Sequence, residues 1–267
     1  MNFFIGGLGG SGTRIISSVY KDHGVYFGAN LNNALDNLVF TLLFRDINPI
    51  KDKRLFDTRF KLFLNYSKKQ SSLVEIFKWP FFANRGQFSN KVRLLIPFNF
   101  LKYSLRKNNA SNAGFLNAFK EPNSIHYVEN ILKASSLKFI FFVRNPLNMA
   151  LSSNKRQLNT FGNYYQINEK DDFFSQIAYF LKIYNNISRL KIKYPSRILE
   201  VRFEEFCLQT QSEFNRINSF LGIKLKFDSD KLSRQPFLPE NKYTKNDIEK
   251  LKKSKFFEEI KSLGYYF

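Results

Sequence analysis

The chain carries one cysteine, Cys207, and two histidines, His23 and His126, in 267 residues. A lone cysteine excludes an internal disulfide framework. Neither histidine belongs to a His-x-x-x-His or Cys-x-x-Cys arrangement, so a metal-free chemistry is expected. No apolar stretch reaches the roughly 18 to 20 residues of a spanning helix. Met1 leads straight into an apolar segment, without the basic region and cleavage site of a signal peptide. These absences predict a soluble, cytoplasmic protein. Acidic residues are also scarce: 22 Asp and Glu stand against 42 Lys and Arg, a net charge of +20. That excess invites a nucleic-acid partner. The basic residues are dispersed rather than blocked, however, and heavy use of Lys, Asn, Phe, Ile and Tyr is what an AT-rich coding sequence gives. No nucleic-acid partner is expected. Part of the charge would serve an anionic cofactor, an acceptor or a membrane surface.

What the chain has is a glycine cluster at its start: Asn2-Phe-Phe-Ile-Gly-Gly-Leu-Gly-Gly-Ser-Gly-Thr-Arg14. Phe3, Phe4 and Ile5 can run as a buried strand. The glycines let the backbone turn with positive φ and aim its N–H groups at an anion, held on the dipole of a helix opening near Thr13. A nucleoside triphosphatase would need Lys followed by Ser or Thr after the last glycine, and Thr13-Arg14 stands there instead. Gly7-x-Gly9-x-x-Gly12 satisfies the dinucleotide fingerprint, which also asks for an acid after the next strand. Val25-Tyr26-Phe27 is followed by Gly28-Ala29-Asn30, with no acid. A Rossmann-type oxidoreductase stays open as an alternative. A hydrolase based on Ser11 fails the Gly-x-Ser-x-Gly elbow, because Thr13 takes the fifth position.

A second anion site is encoded downstream. Phe139 to Val143 is a continuous apolar run, suited to a parallel strand buried on both faces. It ends in Arg144-Asn145-Pro146. Asn145 is a good N-cap, Pro146 suits the first helical position, and Ser152 falls on the same helical face. Arg144 and Ser152 can therefore converge on one anion, the first with a forked pair of donors and the second with a hydroxyl.

Together these segments resemble the sulfotransferase family. Gly-Leu-Gly-Gly-Ser-Gly-Thr-Arg is similar to its 5′-phosphosulfate loop, usually Gly-x-x-(Arg/Lys)-Ser-Gly-Thr. Arg144-Asn-Pro with Ser152 eight residues on resembles its 3′-phosphate element. Ile198-Leu-Glu-Val-Arg-Phe-Glu-Glu-Phe206, followed by Ser219-Phe-Leu-Gly-Ile223, looks like a third family stretch. The resemblance implies an α/β three-layer sandwich with a central parallel sheet and a P-loop-like architecture. It also implies transfer of a sulfuryl group from 3′-phosphoadenosine 5′-phosphosulfate to a hydroxyl or amine on a carbohydrate, lipid or small metabolite. Gly9, Gly10, Ser11, Gly12, Thr13 and Arg14 would then hold the 5′ end of this co-substrate, and Arg144 and Ser152 the 3′-phosphate. A non-catalytic adenosine-bisphosphate-binding protein would keep both sites and lack the base.

The chain departs from the family at Gly10, where relatives place Lys or Arg. Arg14 and Lys120, the latter in Phe119-Lys-Glu-Pro122, are the cations expected to substitute. For the base, Asp36 leads, with Glu121 and His126 as alternatives.

Elsewhere the pattern predicts strands alternating with helices in one domain over 1–267. Helices are expected at Thr13 to Lys21, Asn30 to Phe44, Asn123 to Ala134, 146 to 158, Asp171 to Tyr194, 204 to 221 and Lys245 to Ser262. Strands are expected at Val25 to Phe27, Phe115 to Lys120, 137 to 143 and 197 to 203. Residues 45 to 110 read as a helical insertion over the site, with Trp79 in its core, and 230 to 267 as a basic tail.

Overall fold

Runs of Phe, Ile and Val at four places in the chain assemble into one parallel sheet. The structure is a computed structural model that describes residues 2–28, 30–67 and 116–265. In chain order, β1 (Asn2–Gly7) is followed by α1 (Thr13–Asp22), α2 (Leu38–Phe44), α3 (Asn48–Lys51) and α4 (Lys53–Ser67). Next come β2 (Asn117–Lys120), a 3-10 segment (Pro122–Tyr127), α5 (Val128–Ala134) and β3 (Lys138–Val143). Then follow α6 (Pro146–Ala150), α7 (Arg156–Phe161), α8 (Asp172–Lys193) and β4 (Ile198–Arg202). The chain continues with α9 (Phe203–Leu208), α10 (Thr210–Leu221), α11 (Lys245–Lys252) and α12 (Phe257–Ser262).

The strand order is β2-β1-β3-β4 and every pairing is parallel. Phe4 sits opposite Phe119 on one side and Phe139 on the other, and Phe139 opposite Ile198. Alternate residues feed two cores. Phe4, Phe119, Phe139, Phe141 and Val143 pack with residues of α2, α4, α5 and α8. On the opposite face, Phe3, Ile5, Ala118, Ile140, Phe142 and Val201 pack with residues of α1 and α10. Burial on both faces explains why the strands are continuously apolar instead of alternating. This is the α/β, three-layer arrangement that the sequence predicts. Phe4 is fully buried, with ring centroids 5.3 Å from Phe40 and 5.1 Å from Phe119. Its truncation to Ala would cost about 3 to 5 kcal/mol.

Several expected elements are shorter than their apolar patterns suggested. Val25 to Phe27 contributes one bridge, Tyr26 against Asn117. The helix expected from Asn30 begins only at Leu38. Before it, the Asn32 side chain accepts from the N–H groups of Ala34 and Asp36, and Leu35 takes φ +63°. Such local side-chain bonds compete with the helix. Asn37 then caps α2 by accepting from Phe40 N–H. The helix expected over 146–158 is broken between Ala150 and Arg156, that over 204–221 at Gln209, and that over 245–262 after Lys252. Of the expected insertion, residues 45–67 carry α3 and α4, while 68–110, with Trp79, lie outside the described residues. Among the described residues no helix is long and apolar enough to cross a membrane.

After β1 the chain goes to β2 on one side and then to β3 on the other. The order therefore reverses between β1 and β3, and in such sheets ligands bind beyond the carboxyl ends of the strands at that crevice. Both segments expected to bind an anion leave the sheet there.

Candidate active site

The loop between β1 and α1 turns through Gly10 at φ +88° and Gly12 at φ +83°, backbone states that glycine reaches without strain. A Cβ on Gly12 would stand 2.5 Å from the Phe203 ring, so that position also needs close approach. Ser11 N–H donates back to Leu8 O at 3.0 Å. The N–H groups of Gly10, Gly12 and Thr13 have no protein partner among the described residues. Ser11 Oγ is buried and likewise has none.

After β3, Asn145 Oδ1 accepts from the N–H groups of Leu147 and Asn148, and Pro146 occupies the first turn of α6. Arg144 therefore leaves the strand just ahead of a capped helix. Its guanidinium lies over the Phe203 ring, 4.5 Å from the centroid, and its Nε is buried without a partner. Phe203 thus touches both the glycine loop and Arg144. Burial lowers the Arg144 pKa and the nearby Glu204 charge raises it. Ser152 lies just beyond α6, and its Oγ is 3.1 Å from the place where a Cβ on Gly10 would be. The structure brings the loop and the segment after β3 into contact, although 140 residues of sequence separate them.

At the ends of β1 and β2 the acidic and basic candidates meet. Lys120 Nζ is ion-paired with Asp36 Oδ1 and donates to Ala34 O at 3.0 Å. The other oxygen of Asp36 accepts from Asn32 Nδ2 at 2.7 Å. Burial lowers the Lys120 pKa, opposed by Asp36. Glu121 Oε1 accepts from Thr41 Oγ1 and Asn123 Nδ2, while its Oε2 is buried with no partner. Burial first, and then the charge of Asp36, push the Glu121 pKa up to about 8. His126 sits elsewhere, 3.8 Å from the Phe161 ring centroid and between the Tyr165 and Tyr179 hydroxyls. Burial pushes its pKa down to about 3, so it is a neutral member of an aromatic cluster. Arg14 is exposed on the first turn of α1.

A cleft of about 210 Å³ lies beside Gly9 and the Asp36 and Glu121 carboxylates, walled also by Arg45, Arg156 and Gln157 among others, with no residue of the Arg144 to Ser152 segment in its lining. A larger cleft, about 410 Å³, opens beside Tyr164 and Lys182 and contains no residue of the loop or of the Arg144 to Ser152 segment. Gln157 is a site residue that the sequence does not announce. Its Oε1 accepts from Gly9 N–H at 2.6 Å and its Nε2 donates to Gly7 O at 3.4 Å. Among the described residues no three His, Cys, Asp or Glu side chains are grouped to hold a metal ion.

A glycine loop on the first strand that closes against the segment after an Arg-Asn-Pro cap on its neighbour belongs to an α/β fold of the P-loop-like kind. A profile of the sulfotransferase family matches residues 2–228, and the chain belongs to that family. Among solved structures, a sulfotransferase domain from the curacin biosynthetic pathway aligns at 14% identity and TM-score 0.50, covering 100% of this chain and 98% of that one. The sulfotransferase domain of the Synechococcus PCC 7002 olefin synthase aligns at 12% identity and TM-score 0.49, covering 100% and 96%. No curated protein matches at a significant level. Family membership sets aside the Rossmann-type oxidoreductase.

Proposed function

We propose that the protein transfers a sulfuryl group from 3′-phosphoadenosine 5′-phosphosulfate to a hydroxyl or amine acceptor, on a carbohydrate, lipid headgroup or small metabolite, bound in the cleft beside Glu121. The observation that carries this reading is the contact between Gly10 and Ser152, flanked by two buried polar atoms without partners, Ser11 Oγ and Arg144 Nε. Buried donors left unmade are costly, and a doubly phosphorylated nucleotide laid across the loop and α6 would satisfy both. When bound, this co-substrate supplies the activated sulfuryl group.

In this reading the backbone of Gly9, Gly10, Gly12 and Thr13 and the Ser11 hydroxyl hold the 5′ end. Arg14 adds positive charge at the opening of α1. Arg144 and Ser152 hold the 3′-phosphate. Asp36 takes the acceptor proton and Lys120 fixes its orientation through the ion pair. Glu121, with its pKa raised to about 8, keeps its proton at neutral pH, so it donates a hydrogen bond rather than accepting a proton there.

Thermal shift in magnesium-free buffer tests the donor assignment. Adenosine 3′,5′-bisphosphate at 100 times its Kd should add roughly 2.7 kcal/mol, and ATP and NAD should add far less. No shift with millimolar bisphosphate would overturn the reading.

A further inference from the structure

The loop cation that the family resemblance implies is missing at Gly10; of the two cations suggested by sequence, Arg14 is exposed at the opening of α1 and Lys120 is held in an ion pair. Lys120 is buried and engaged by Asp36 and Ala34 O, and neither Lys120 nor Arg14 is among the described residues walling the cleft. A side chain on Gly10 would begin 3.1 Å from Ser152 Oγ, so Ser152 would have to give way to it.

Arg156 is different. It opens α7, is exposed, and walls the same cleft as Gly9 and Glu121. Its neighbours tie it to the loop. Gln157 accepts from Gly9 N–H at 2.6 Å and donates to Gly7 O. On the other side, Asn154 O is 3.1 Å from the Cβ position of Gly9. With residues 154 and 157 both seated on Gly9, the backbone of Arg156 is fixed against the loop while its side chain keeps no hydrogen bond or ion pair among the described residues.

We propose that Arg156 is the cation that this loop lacks, reaching over Gly9 to the sulfuryl oxygens of the bound donor, with Gln157 as its positioning residue. The inference rests on the donor assigned above. The electrostatics of the cleft agree with it. Arg45 lines the same cleft, and its pKa is lowered by burial and then by the charge of Arg156, with Glu121 acting the other way. Two guanidinium groups in one cleft repel, and an anion bound near both relieves the cost. A forked guanidinium also suits the geometry of sulfuryl oxygens better than an ammonium.

Calorimetric titration of wild type, Arg156→Ala and Arg156→Lys with adenosine 3′,5′-bisphosphate and with the complete phosphosulfate donor tests this. Loss of Arg156 should weaken the phosphosulfate by about 10- to 100-fold, the scale of one charge-assisted contact. Affinity for the bisphosphate should change by no more than about threefold, and Lys should recover part of the loss. Equal losses for both nucleotides, or unchanged phosphosulfate affinity with wild-type binding intact, overturn the role of Arg156 alone. Failure of the wild-type protein to bind either nucleotide overturns the donor assignment and this inference with it. Arg156 is exposed, so the variants are expected to fold, and matching thermal midpoints without ligand check that.

Discussion

Ser152 Oγ stands 3.1 Å from where a side chain on Gly10 would begin, and Ser152 Cβ 3.2 Å. The family resemblance implies a Lys or Arg at the Gly10 position, so introducing one is the natural experiment. Here the φ of +88° costs an L-residue about 1 kcal/mol or more, and the new side chain must displace Ser152. Gly10→Lys is therefore expected to weaken adenosine 3′,5′-bisphosphate at least about tenfold, the equivalent of 1.4 kcal/mol. Titration calorimetry reads this directly. Tighter binding would mean that the loop and the Ser152 segment separate easily.

Arg144 should discriminate ligands by their 3′-phosphate. Its Nε is buried without a partner and its guanidinium lies over the Phe203 ring. Arg144→Ala should cost roughly 2 to 3 kcal/mol with adenosine 3′,5′-bisphosphate. Binding of adenosine 5′-phosphosulfate, which has no 3′-phosphate, should barely change. Equal losses for the two ligands would make Arg144 a support for the loop through Phe203.

The local structure of the two segments expected to bind anions was legible because each is short and continuous in the chain. Glycines that turn the backbone, a strand before them and a helix start after them occupy one short window, and so do the Val143 strand end and the Asn145 cap. The Asp36 turn was not legible. Leu31, Leu35, Leu38 and Leu42 have helical spacing, yet Asn32 captures two backbone N–H groups and delays the helix to Leu38. This places Asp36 in a turn beside Lys120 rather than on a helix face. α6 stops at Ala150, so Ser152 lies beyond the helix on which it was expected to share a face with Asn145, and it stands against Gly10. Gln157 and Arg156 gave no signal, because their role exists only once residues 154–157 are folded onto Gly9.

Glu121 should make stability fall with rising pH. Below its ordinary value of 4.5 the carboxyl is protonated in both folded and unfolded chains. Between 4.5 and about 8 only the folded chain keeps the proton. Folding then takes up a proton, so stability is lost as pH rises through that window. His126 has the opposite sign: it disfavours folding only as pH falls from 6.5 toward about 3. The range from pH 6.5 to 8 therefore isolates Glu121. Each unit of the shift corresponds to about 1.4 kcal/mol, or about 3 to 6 °C in a chain of this size. Glu121→Gln should flatten the decline of the thermal midpoint over that range relative to wild type. Parallel curves for the two proteins would show that Glu121 titrates normally.

Asp36 and Lys120 can be separated as a structural pair and as catalysts. The Lys120 side chain is 3% exposed, so Asp36→Asn strands a buried ammonium and should cost about 3 kcal/mol. It should also lower kcat by about 100-fold or more if Asp36 takes the acceptor proton. The double variant Asp36→Asn/Lys120→Met removes the stranded charge and should recover most of the stability without recovering turnover. The pH profile of wild type adds an independent reading. With Glu121 as base, kcat climbs about tenfold per unit toward its pKa of about 8. A climbing profile together with a fully active Asp36→Asn would transfer the proton-accepting role to Glu121 and leave Asp36 as the residue that holds Lys120 in place.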